Sequence, residues 1–64
     1  SVNSSQIDID KQNETITLTL SIDTQYSSVM DYFEIFLNRM TLCRKAAETL
    51  GLQFKLVINN QQLL

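Results

Sequence analysis

Ile7-Asp8-Ile9-Asp10, then Lys11-Gln12-Asn13-Glu14, then Thr15-Ile16-Thr17-Leu18-Thr19-Leu20-Ser21-Ile22 is the stretch that decides the fold. On both sides of a polar break, apolar and polar residues alternate, which is the period of a strand with one buried face. Ile16, Leu18, Leu20 and Ile22 point one way; Thr15, Thr17, Thr19 and Ser21 point the other. A hairpin closing on Gln12-Asn13 sets Ile9 against Ile16 and Ile7 against Leu18, with both apolar sets on one face. It also sets Lys11 opposite Glu14. Gln-Asn is not a favoured two-residue turn, and a four-residue loop gives the same register.

An apolar sheet face needs a cover, and the next segment supplies one. From about Ser27 to Leu50, the residues Val29, Phe33, Phe36, Met40, Cys43, Ala47 and Leu50 recur at alternating three- and four-residue steps. That spacing keeps them on one face of a helix, with Met30 and Leu37 widening it. Ser28 and Asp31 have the form of a capping box. Asp31 and Glu34 near the start, and Arg44 and Lys45 near the end, follow the helix dipole. Gly51, the only glycine, suits the positive φ that ends a helix. Alternation then returns, with Leu52, Phe54, Leu56 and Ile58 inward, and Asn59-Asn60 ends that strand. Leu63-Leu64 is an apolar terminus that packs back or continues onward.

The expected fold class is therefore α+β, in the order ββαβ: a three-stranded sheet with one long helix packed on one face, two layers. The helical crossover favours a parallel relation between the second and third strands. A right-handed connection with the first strand between them gives the order 2-1-3. Residues 1–5 read as a frayed N-terminus and 6–64 as a single small domain. A chain of 64 residues lies near the lower limit of autonomous folding, where a disulfide, a metal or a partner commonly adds support. Cys43 is the only cysteine and there is no histidine, so neither an internal disulfide nor a Cys/His zinc site can form. Support from a partner subunit or a larger parent protein is what remains.

Several functions are disfavoured by composition. No apolar run is long enough for a membrane span, and no signal peptide is visible. The chain opens on Ser1 rather than Met, which reads as a processed form or an excised domain. One unpaired thiol favours an intracellular, reducing setting. Asn3-Ser4-Ser5 and Asn13-Glu14-Thr15 match the glycosylation pattern, a short motif that arises readily by chance. Up to residue 36, six acids (Asp8, Asp10, Glu14, Asp23, Asp31, Glu34) face Lys11 alone; beyond it, Arg39, Arg44, Lys45 and Lys55 face Glu48 alone. Such halves can attract each other within one fold or between copies.

No catalytic residue, cofactor, metal or small-molecule substrate is assigned. Without histidine, acid–base chemistry would fall to Asp8 with Asp10 or to Asp31 with Glu34. The first pair has no reason for raised pKa values, and the second already serves the helix start. Cys43 has Arg39 and Arg44 nearby, but its place in the core stripe makes it a structural thiol. The single glycine excludes a phosphate-binding glycine loop. Thr15-Thr17-Thr19 reads as a wet strand face. A nucleic-acid-binding regulator of ribbon-helix-helix plan would use Thr15–Ile22 as its ribbon and start a second helix at Thr41. That ribbon carries no base for phosphate contacts, and a further strand follows Gly51.

A second stripe on the helix points elsewhere. Tyr32, Ile35, Arg39, Leu42, Ala46 and Thr49 also recur at three- and four-residue steps, well away from the core stripe. The helix is longer than the strands, so it overhangs the sheet or breaks near Thr41. The expected function is a non-catalytic protein–protein interaction or homodimerisation module, a small regulatory protein or a fragment of a larger one. Ile35, Arg39, Leu42 and Ala46 are its candidate partner interface, Arg39 giving a polar handle within an apolar strip. The open sheet edges, guarded only by Lys11 and Lys55, offer strand addition as a second route.

Overall fold

The structure is a computed structural model that describes residues 4–23 and 29–64; within the helix it leaves out the side chains at 29–33 and at 35. Its elements run β1 (Ser4–Asp10), β2 (Thr15–Ser21), α1 (Val29–Leu50), β3 (Gln53–Ile58) and β4 (Gln61–Gln62). This is an α+β fold in which one helix packs against a four-stranded mixed sheet. The expected Ser28–Asp31 capping box lies outside the described residues.

The first hairpin has the register that the alternation requires: Ile9 pairs with Ile16, and Ile7 with Leu18. The ladder closes at Asp10 and Thr15, so residues 11–14 form a four-residue loop and Lys11 and Glu14 lie outside it. Asp10 organises that loop. Its Oδ1 accepts the Asn13 backbone N–H at 3.1 Å, and its Oδ2 accepts the Asn13 side-chain amide at 2.7 Å. Glu14 takes a positive φ of 54° to turn the chain into β2.

β2 and β3 are parallel, as the helical crossover requires, but the strand order is β1-β2-β3-β4 rather than 2-1-3. The centre of the sheet goes to the strand with most to bury. β2 carries Ile16, Leu18 and Leu20, all at most 2% exposed, whereas β1 carries only Ile7 and Ile9. The fourth strand corrects the expectation of three. Asn59 and Asn60 do not merely end β3: both hold positive φ, 48° and 69°, the pair of left-handed residues that a type I′ turn demands. The turn folds β4 back antiparallel on β3, pairing Ile58 with Gln61 and Val57 with Gln62. Beyond β4 the Leu63 N–H donates to the Leu56 carbonyl at 2.8 Å.

The Asn59 side chain also locks the parallel seam. Its Oδ1 accepts the Ile22 N–H at 2.8 Å, its Nδ2 donates to the Ile22 carbonyl at 3.2 Å, and its backbone N–H donates to the Leu20 carbonyl at 2.9 Å. A primary amide here stands in for one more residue of strand.

α1 runs unbroken through Thr41, whose hydroxyl bonds back to the Leu37 carbonyl at 2.9 Å. Its 22 residues span about 33 Å, against about 23 Å for a strand the length of β2. Gly51, at φ 70°, ends it in a Schellman turn: the Leu52 N–H reaches back to the Ala47 carbonyl at 2.9 Å. Arg44 and Lys45 stop short of the last turn, which carries no base. The core joins Ile16, Leu18, Leu20, Cys43, Ala47 and Leu56, with Ile22, Phe36, Met40, Ala46, Leu52, Phe54 and Ile58 packed around it. Leu50 and Leu37, expected in or beside the core stripe, are 59% and 48% exposed.

Candidate interaction surface

One helix covers about two strands. A helix with side chains is about 10 Å across, and strands lie about 4.8 Å apart. α1 packs foremost on β2 and next on β3. β1 therefore lies beside the helix rather than beneath it. Ile7 and Ile9, on the helix side of the sheet opposite Leu18 and Ile16, remain 41% and 48% exposed.

The second helical stripe turns toward that same flank. Leu50 meets Ile9 across a shallow cleft of about 340 Å³, closed at its end by Lys11, Glu14, Gly51 and Leu52. On the other side of the helix, Arg44, Ala47 and Glu48 meet Leu52 and Phe54 of the β3 side. At 100° per residue, Ala46 and Leu42 lie on the Leu50 side of Cys43, and Arg44 and Glu48 on the opposite side. Of the interface candidates, Leu42 is 56% exposed, Arg39 is exposed, and Ala46 is half-buried against the core. The Ile35 side chain is outside the described residues. The flank thus joins Leu42 and Leu50 of α1 to Ile7 and Ile9 of β1, two residues that alternation alone assigned to the interior.

The edges of the sheet are unequal. At one side stands β4, two residues long; at the other stands β1, seven residues long, with neither proline nor lysine in it. The direction of the β1 peptide groups follows from the parallel seam. Leu20 and Ile22 turn their backbone groups toward Asn59, so Thr15, Thr17 and Thr19 turn theirs toward β1. Their partners Asp10, Asp8 and Gln6 then exchange both bonds with them, and Ser5, Ile7 and Ile9 direct N–H and C=O outward.

Asp8 is exposed on the far face of the sheet. The Asn13 hydrogen bonds hold the Asp10 carboxyl below its ordinary value of 3.8, the opposite of what an acid catalyst needs. Asn13 of the second glycosylation motif spends its amide on Asp10. Cys43 is 1% exposed, and burial pushes its thiol above the ordinary 9.0 against the opposing charge of Arg39. Thr15, Thr17 and Thr19 run down a central strand and are buried or half-buried, not an open array. That position also removes β2 as a free ribbon, and the unbroken α1 leaves no second helix at Thr41, so the ribbon-helix-helix plan is not this fold. Among the described residues, no three His, Cys, Asp or Glu side chains come together to hold a metal ion. No helix among them is long and apolar enough to cross a membrane. Comparison with family models, with curated proteins and with solved structures gives no match.

Proposed function

We propose that the chain is a non-catalytic protein-interaction module that associates with a second copy of itself. Helix and sheet are read as two layers, of which the helical layer spans only part of the sheet. The observation that carries the proposal is the exposure of Ile7 and Ile9 on the covered side of the sheet, in the longer edge strand, beside exposed Leu42. Monomeric domains scatter single exposed apolar residues, but a run of them along one flank marks a contact surface. Arg39, Leu42 and Ala46 border this flank and belong to the proposed surface, to which helical spacing in the sequence also assigns Ile35.

Sedimentation equilibrium over micromolar concentrations tests the reading. The expected species is twice the 7.4 kDa chain. A double variant, Ile9→Asp with Leu42→Asp, puts charge on both sides of the flank and is expected to sediment as a folded monomer. A monomer in the unaltered chain throughout the range overturns the proposal. Retardation of random DNA duplex at low salt would replace it with the nucleic-acid reading.

A further inference from the structure

The self-association reading leaves open how two copies join; resting on it, we infer that β1 pairs antiparallel with β1 of a second copy, Ile7 opposite Ile7, to make one continuous sheet. Three features of the strand lead there.

The first is the outward peptide groups. Ser5, Ile7 and Ile9 alternate along the edge, each presenting a donor and an acceptor. A two-fold axis at Ile7 sets Ile7 against its own copy and Ser5 against Ile9 on both sides. All outward groups of β1 then form reciprocal hydrogen-bonded pairs, about six bonds in total.

The second is charge, which selects this register. An axis at Asp8 opposes Asp8 to Asp8, and an axis at Ile9 opposes Asp8 to Asp10 twice; like charges directly opposite are destabilising. An axis at Ile7 opposes Asp8 to Gln6 and Asp10 to Ser4. The Gln6 amide can then donate to the facing Asp8 carboxylate on the far side of the sheet. Moving the axis to Gln6 also avoids acid pairs within β1, but it carries Ile9 past the end of the facing β1, which begins at Ser4.

The third is the unequal edges. Very short edge strands resist addition, and long ones without proline or lysine invite it. β4 has two residues and β1 has seven, so addition at β1 closes the pair instead of propagating a filament.

In the joined sheet the Ile7 and Ile9 side chains of both copies lie together between the two helices. The helix axes stand three to four strand spacings apart, roughly 14–19 Å. Packed helices lie 8–10 Å apart, so the seam is made by strands and not by α1 against α1.

Oxidative crosslinking reads the register. Ile7→Cys places two thiols across the axis at a Cα separation of about 5.5 Å, within disulfide range. Ile9→Cys separates them by four residues along the strand, roughly 14 Å. Both positions are similarly exposed, so random collision would link them equally, and Cys43 is buried. The expected result is a disulfide dimer for Ile7→Cys and little for Ile9→Cys. Equal linkage of both variants, or linkage of neither, in a chain that sediments as a dimer overturns the strand seam and leaves self-association standing. A chain that sediments only as a monomer removes both.

Discussion

Ile7 and Leu18 face each other across the β1–β2 ladder, yet Leu18 has no exposed surface and Ile7 keeps 41% of its own. Leu18 has a strand on either side and α1 above it; Ile7 has one neighbouring strand and the flank of the helix. Truncating the two is expected to have unequal cost. Leu18→Ala removes a fully packed side chain, at about 2–5 kcal/mol, comparable with the whole stability of so small a domain. Ile7→Ala in the monomer should cost below about 1.5 kcal/mol, because much of its surface is already wet. Urea unfolding followed by circular dichroism, at a concentration where the chain is monomeric, compares them directly.

Gly51 isolates a conformational effect from a steric one. A Cβ built there meets nothing within 4 Å, while φ stays at +70°. Gly51→Ala is expected to destabilise by about 1 kcal/mol through backbone conformation alone, visible as a lower urea midpoint with an unchanged slope.

The Asn59–Asn60 turn predicts changes of opposite sign. Asn60→Gly keeps the left-handed residue and relieves its Cβ, giving the Asn-Gly pair that type I′ turns favour; a gain of about 0.5 kcal/mol is expected. Asn59→Ala loses both side-chain bonds to Ile22 and strains a positive φ, a loss of about 1–3 kcal/mol. Thermal melting of the two variants tests the signs.

Cys43 and Asp10 set opposite ends of the pH profile. Burial raises the folded value of the thiol, so its contribution is complete below the ordinary 9.0 and is lost as pH rises through the folded value. The Asn13 bonds lower the folded value of Asp10, so that contribution is present above 3.8 and is lost as pH falls through the folded value. The urea midpoint should fall as pH rises above the ordinary 9.0 of the thiol, and Cys43→Ala should flatten that limb. A thiol reagent at neutral pH should react with Cys43 at the rate of unfolding.

The hairpin register, the end of α1 at Gly51 and the parallel seam are all legible in the sequence, because each depends on local pattern: alternation, a single glycine, or a crossover helix that carries the chain back to the starting end of β2. Strand order is not. It depends on which strand has most apolar surface to hide, and the three inward residues of β2 outweigh the two of β1 only when the strands compete for the centre. β4 does not show in the alternation, because Asn-Asn can equally end a strand; two adjacent residues able to hold positive φ are its only sequence signal. The flank was half legible: helical spacing marked Leu42, but Ile7 and Ile9 were assigned to the interior. The width of one helix against strand spacing would have shown that β1 stays open.

The parallel seam joins Thr15 to Gln53, so the tightest part of the interior unites stretches of chain separated by all of α1. Both hairpins can form from near neighbours, but this seam must wait for a long loop to close, which slows folding. Until it closes, β2 has no strand on its inner side and Leu18 has no complete shelter. That interval is when the chain is most open to clumping with unfinished copies of itself. The clasp of Asn59 on Ile22 belongs to that seam: it is the last bond along it and holds the third strand against the second.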